Sequence, residues 1–183
     1  MTAIYEAEHA TGYEFANTTN YDDMMLLHRF DGTSRKENWR PILVTRGAVN
    51  RRQKGRPADI PCMHDSLLLR RSAVDALQDI LDAHGELLPL ATEDGIELYV
   101  FNTLYNIDAL DKERSVLEPY IVGPDMKIRK YVFHEEKIRG IDIFRMPIGP
   151  NTNYFSDRFV ERVKKAKLKG TDFIKLWSSD ENA

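Results

Sequence analysis

Apolar positions along this chain fall into two regimes: little regular spacing before residue 60, and clear helix and strand periods from Asp65 onward. Val74, Leu77, Ile80 and Leu81 recur at helical spacing, which predicts a helix over 73–84. Ser72 stands where an N-cap is wanted, with Asp75 three residues on, and Gly85 is placed to end the helix with positive φ. Leu67 to Leu69 precede it as a strand candidate, and Leu87 to Leu90 follow as another, where Pro89 suits an edge or a bend. Asp94-Gly95 reads as the tight turn of a hairpin returning through Glu97 to Asn102. Leu98 to Phe101 are apolar without alternation, the pattern of a strand covered on both faces.

Beyond Asn102 the strand pattern breaks at Asp108 to Ser115, a short helical or turn segment. Lys127 to His134 and Ile138 to Met146 read as two strands joined around Glu135 to Lys137, with an alternative turn at Arg139-Gly140, the first strand needing a bulge to reconcile its two apolar faces. Ser156 is the next cap candidate. Phe159, Val160, Val163 and Ala166 form a helical stripe, four lysines crowd its end, and Gly170 stops it before a last strand over 173–177. The segments Ser72 to Gly85 and Ser156 to Gly170 thus repeat one layout, strand, helix, strand, without repeating residues. The first 60 residues predict short strands or one short helix within irregular structure that covers the main sheet. The expected fold is α+β: a mainly antiparallel sheet, two principal helices and an irregular N-terminal cover. It forms a single domain over 1–183, with 1–60 as an annex and 65–178 as the core.

Composition limits the functional classes. The chain has 183 residues, 42% hydrophobic and 30% charged, enough for a packed core without staples. Cys62 is the single cysteine, so no intramolecular disulfide can form and a reducing compartment is expected. Glu6, Glu8 and Glu14 interrupt the N-terminus, which does not read as a secretory signal, and no apolar run is long enough to span a bilayer. The expected location is the cytoplasm, with no membrane partner. A net charge of -3 disfavours a general nucleic-acid binder. Charge is uneven, however: residues 1–38 hold seven acids against three bases, whereas Arg46, Arg51, Arg52, Lys54 and Arg56 place five bases in eleven residues with no acid.

Four constellations could carry chemistry or binding. Cys62 and His64 would share one face of an extended segment, the arrangement of a thiolate and its base, but no oxyanion-hole glycine pattern follows, and a small buried thiol is the favoured reading. The five histidines are scattered without metal-ligand spacing, and no glycine-rich phosphate loop is present, so neither metal nor cofactor is expected. Asp108 and Asp111 could act as acid and base, yet Asp-x-x-Asp at a turn more often satisfies backbone N–H groups. The Arg46 to Arg56 segment suits phosphate or an acidic protein surface, but lacks the interleaved aromatics that stack bases.

An ordered series of short signatures crosses the C-terminal two thirds: GELLPL at 85–90, LYVFN at 98–102, DALD at 108–111 with Ser115, KYVF at 130–133, IFR at 143–145, FSDRF at 155–159 and KGTDF at 169–173. In this order and spacing they resemble a bacterial immunity-protein family of polymorphic-toxin systems, immunity protein eleven, earlier catalogued as a domain of unknown function. The matching positions run from about Leu67 to Trp177. The resemblance implies a cytoplasmic antidote, encoded beside its toxin and neutralising it by direct binding, with no catalysis. Contact residues are then expected among Arg46, Arg51, Arg52, Lys54 and Arg56 if the toxin face is acidic. A basic toxin face would instead meet Asp22, Asp23 and Asp31. The alternative function is a nucleic-acid-associated regulator using the arginine segment.

Overall fold

The computed structural model describes residues 2–47, 55–63, 66–119, 126–148 and 152–180. Its first half contributes β1 (Ala3–His9), β2 (Phe15–Thr18), α1 (Tyr21–His28), β3 (Leu43–Gly47), β4 (Cys62–Met63) and β5 (Ser66–Arg70). There follow α2 (Arg71–His84), β6 (Gly85–Thr92), β7 (Leu98–Thr103), β8 (Val116–Pro119) and β9 (Met126–Lys130). The chain ends with α3 (Glu135–Ile138), β10 (Ile143–Phe144), β11 (Tyr154–Ser156), α4 (Asp157–Lys165) and β12 (Thr171–Ser178). The class is α+β with mostly antiparallel pairing. The strands divide into a closed barrel in the order β2-β3-β6-β7-β5-β4, a four-stranded sheet in the order β10-β11-β1-β12, and a β8-β9 ribbon.

One supersecondary unit organises both sheets. In the barrel, β5 and β6 each pair antiparallel with β7, which lies between them, and α2 connects the two. In the four-stranded sheet, β11 and β12 each pair antiparallel with β1, and α4 connects them. The repeated layout legible in the sequence is therefore a split strand–helix–strand unit used twice.

Strand alternation assigns side chains to three cores. Leu68, Leu88, Leu90, Leu98 and Val100 point into the barrel, whose end is filled by Leu27 and Phe30. Leu67, Leu69 and Phe101 point out of it, onto Leu77, Ile80 and Leu81 of α2 and Phe159, Val160 and Val163 of α4. Each fully buried aliphatic side chain here contributes about 1.5–3 kcal/mol of transfer free energy. The four-stranded sheet gives Ile143 and Phe155 to this middle core, and Ile4, Phe144, Tyr154 and Trp177 to a third one, shared with side chains from 107–117 and 128–148.

Several local expectations change in the three-dimensional context. Ser72 does not cap α2. The helix begins at Arg71 directly after β5, with Arg70 at the cap position and no side-chain cap bond, and the Ser72 hydroxyl donates to Asp59 instead. Gly85 is extended, with φ 179, and opens β6. A Cβ there would stand 2.3 Å from the Asn102 carbonyl oxygen, so close approach of β7 is what requires glycine. Gly170 is not what ends α4. That helix closes at Ala166, with Lys167 N–H donating to Lys164 O at 3.0 Å and Leu168 N–H to Val163 O at 3.1 Å, a Schellman arrangement that puts Lys167 at φ 56.

The segment 127–146 is not a hairpin. β9 pairs with β8, β10 pairs with β11, and Glu135–Ile138 is a helical turn. The register shift lies between Val116 and Leu117 of β8. The N-terminal residues do form short strands and one short helix. They are woven into the sheets, with β1 between β11 and β12 and with β2 and β3 in the barrel wall.

Asp142 joins the two units. His84, at the end of α2, accepts the Asp142 N–H at 3.0 Å through Nε2, leaving Nδ1–H to donate to Ile80 O at 2.8 Å. The buried Asp142 carboxylate accepts the Ser156 hydroxyl at 2.6 Å and pairs with Arg158 at 2.9 Å. Ser156 Oγ in turn accepts the Phe159 N–H at 3.2 Å, capping α4 as the sequence indicates.

Two stability measurements follow from this geometry. Asp142→Ala should cost about 2 kcal/mol, and the loss should not add to that of Ser156→Ala, since both act through one bonded chain; urea denaturation of the two single variants and the double variant reads this out. Lys167→Gly should raise the urea midpoint by the equivalent of about 0.5–1 kcal/mol by removing the left-handed penalty at a solvent-exposed position.

Candidate functional site

The basic segment begins and ends in internal contacts. Pairing of β2 with β3 sets Ala16 opposite Arg46. From there the Arg46 guanidinium donates to Glu14 Oε2 at 2.9 Å and also reaches Asp94. The Glu14 carboxylate is buried, and it accepts the Ala58 N–H at 3.1 Å and the Arg70 guanidinium as well. Arg56 lies 4.1 Å from the Tyr13 ring centroid and donates to Thr11 O at 3.3 Å. Arg46 thus clamps the barrel wall, and Arg56 pins residues 55–58 along 11–14. Arg51, Arg52 and Lys54 lie outside the described residues.

The three candidate acids have different fates. Asp23 is buried: its N–H donates to Asn20 Oδ1 at 2.9 Å, its carboxylate accepts Asn20 Nδ2 at 2.7 Å, and Arg40 pairs with it at 2.5 Å. It fixes the start of α1 and presents no charge for a partner. Asp22 is exposed beside Tyr21, which is 68% exposed. Asp31 lies past the other end of α1. Hydrogen bonds from the Thr33 hydroxyl and N–H, with Arg35 nearby, hold its carboxyl below the usual range, so it is an anion at neutral pH. Asp31 and Gly32 abut Leu104 and Asn106, with Asn106 Nδ2 donating to Asp31 O at 3.1 Å. The half-exposed Leu104 and Tyr105 therefore share this end of the molecule with Asp31.

The constellations with enzyme-like composition are occupied by structural work. Cys62 pairs with Leu67 and with Phe15 as part of the barrel wall and lines a cavity of about 40 Å³ with Ile60, Pro61 and Phe155, room for about one water molecule. His64 lies outside the described residues. Asp111 Oδ1 accepts the N–H groups of Glu113 and Arg114 at 3.1 and 3.0 Å, while Asp108 pairs with Lys112 at 3.1 Å. Among the described residues no group of three or more His, Cys, Asp or Glu could hold a metal ion.

Sequence reasoning passed over one surface. On β1 and β12, Glu6 stands opposite Ile174 and Glu8 opposite Asp172, so three carboxylates and an exposed isoleucine share one face of the sheet. The signal was present as Glu-x-Glu and Asp-x-Ile at strand spacing. What was missing is the pairing of chain ends more than 160 residues apart. Burial first, and then the Glu8 charge, push the Glu6 carboxyl above its ordinary range.

Residues 91–177 match the immunity protein family Imm11. This is the family that the ordered signatures resemble. No curated protein matches the chain. The Imm11 segment runs from the end of β6 to the penultimate residue of β12 and supplies three of the four strands of the open sheet, together with α4. It includes the exposed Leu104, Tyr105, Val116 and Ile174 and excludes the arginine segment, Asp22 and Asp31. No helix among the described residues is long and apolar enough to cross a membrane.

The raised Glu6 carboxyl makes a signed prediction. Between the ordinary value of 4.5 and the raised one, the folded state binds more protons than the unfolded state, so this group's contribution to stability falls as pH rises through that window. Glu6→Gln should therefore gain stability relative to wild type above the window and show no gain below it, as read by urea midpoints from pH 3 to pH 7.

Proposed function

We propose that this protein is the antidote of a cognate bacterial toxin, encoded beside it, and that it neutralises the toxin in the cytoplasm by stoichiometric binding without chemistry of its own. The observation that carries this reading is the Imm11 match over 91–177. The geometry supports it: Cys62, the Asp108–Asp111 pair and the Glu14 clamp are each bound into the fold, while aromatic and acidic groups such as Tyr21, Asp22, Asp31 and Tyr105 stand at the surface. Such groups suit protein recognition, with charge steering the encounter and aromatic anchors supplying affinity. Within the arginine segment a nucleic-acid role would rest on Arg51, Arg52 and Lys54, because Arg46 and Arg56 are engaged within the chain.

The test is bacterial growth with the neighbouring toxin-like gene induced, with and without this protein, followed by co-purification. Rescue with a stable complex is expected; a toxic neighbour that still kills cells containing abundant soluble antidote would remove the reading. In that complex, Asp22→Lys with Asp31→Lys should slow association about tenfold at low salt and leave dissociation nearly unchanged, since exposed rim charges act mainly on encounter. Stopped-flow binding at two salt concentrations measures both rates.

A further inference from the structure

The two sheets treat their edges differently. The barrel closes on itself and has none. In the open sheet, the β10 edge is two residues long, and the chain beside it is held by Asp142 N–H to His84 and by Arg145 exchanging backbone bonds with Tyr105 and Ile107. The β12 edge is eight residues long and pairs with β1 on one side; among the described residues no strand pairs with the other. Its register is regular from Thr171 to Lys175 and shifts beyond, between the Tyr5–Lys175 and Ile4–Trp177 pairs. An edge of this length presents alternate unpaired N–H and C=O groups, which native proteins cover, shorten, bulge, charge or interrupt with proline. Thr171 to Ser178 contains no proline, and its charged side chains are Asp172, on the face of Glu6 and Glu8, and Lys175, on the other face.

The face beside that edge has a definite charge. Glu8 and Asp172 are directly opposed and both exposed, and Glu6 lies on the same face two residues along β1. Opposed like charges weaken a strand pair, and among the described residues no cation pairs with any of the three. Ile174, 42% exposed, is the apolar centre of this acidic surround. A strand laid against β12 would set one side chain beside Asp172 and another, two residues along, beside Ile174.

We propose that the outer edge of β12, over Thr171 to Lys175, accepts an extended segment of a partner protein as a fifth strand, with lysine or arginine set against Asp172 and Glu8 and an apolar side chain against Ile174. Main-chain bonds supply the affinity, and the acidic face selects a basic strand and fixes its register. The burial-raised Glu6 carboxyl is consistent with this: a nearby cation would favour its ionised form. Identifying the owner of that strand as the toxin rests on the antidote reading; the docking edge itself does not.

The probe is a capped nonapeptide with lysine and valine alternating on one face and threonine on the other, and its counterpart with glutamate for lysine. Both are titrated into the isotope-labelled full chain, with amide exchange followed by NMR. The basic peptide is expected to slow exchange of amides within 171–175 by tenfold or more, and the acidic peptide to leave them unchanged. Glu8→Lys with Asp172→Lys, at two exposed positions, should reverse that preference. Unaltered exchange in β12 at millimolar basic peptide, or protection confined to another surface, would overturn the proposal. Toxin rescue separates the two readings: if wild type and the double variant rescue equally, the toxin strand does not dock here although the antidote reading stands. If wild type fails to rescue, the antidote reading falls and the peptide titration alone decides the edge.

Discussion

The buried bonds around Asp142 set how the two halves of the molecule meet. The end of α2 and the start of α4 are helix termini, each leaving backbone groups that need partners. His84 anchors one ring nitrogen on Ile80 O, one turn back in α2, and uses the other to hold Asp142, while its own carbonyl accepts the Leu104 N–H. Asp142 then orients Ser156, and Ser156 caps α4. In a low-dielectric interior such a chain polarises along its length, and removing a member strands the next. With the helix termini fixed, α2 and α4 can close on the shared middle core. Arg162 of α4 reaches across to Ala76 O and Asp79 of α2 on the solvent side.

Where the sequence was legible, the determining contacts were local. Val74, Leu77, Ile80 and Leu81 define α2 because each turn of that helix meets the same apolar surface. Ser156 caps α4 because its donor lies three residues away. Asp94-Gly95 and the flanking apolar runs specify the β6–β7 hairpin. Ser72 has a similar local signature to Ser156, but α2 starts at Arg71, which puts Ser72 inside the first turn instead of at the cap position, and Asp59, thirteen residues back, takes its hydroxyl. Gly85 and Gly170 were readable as glycine positions but not by cause. Gly85 admits the backbone of β7, and a Cβ at Gly170 would stand 2.4 Å from the Ala58 Cβ.

The candidate contact residues were less legible for the same reason. Arg46 finds Glu14 and Asp94, 32 and 48 positions away, so its place in a run of bases says nothing about its availability. Asp22 and Asp23 are adjacent and chemically identical, yet one faces solvent and the other is locked by Asn20 and Arg40. On an eight-residue helix the phase of burial is set by the barrel beneath it. The acidic face of β1 and β12 forms only when the first and last strands of the chain pair.

That pairing also decides which register an added strand could take. Main-chain bonds along an edge are nearly indifferent to sequence, so they bind without discriminating. On β12 the two faces differ sharply: one carries Asp172 and Ile174 beside Glu6 and Glu8, whereas on the other Phe173 packs with Tyr5 against the core that includes α4 and the exposed Lys175 stands opposite Tyr5. A one-residue slip moves every side chain of the incoming strand to the opposite face. A basic strand in the slipped register would bring its cations against Phe173 and Lys175, away from the three carboxylates. Desolvation and like-charge penalties fall on the wrong register, so the edge over Thr171 to Lys175 can choose both its partner and its alignment.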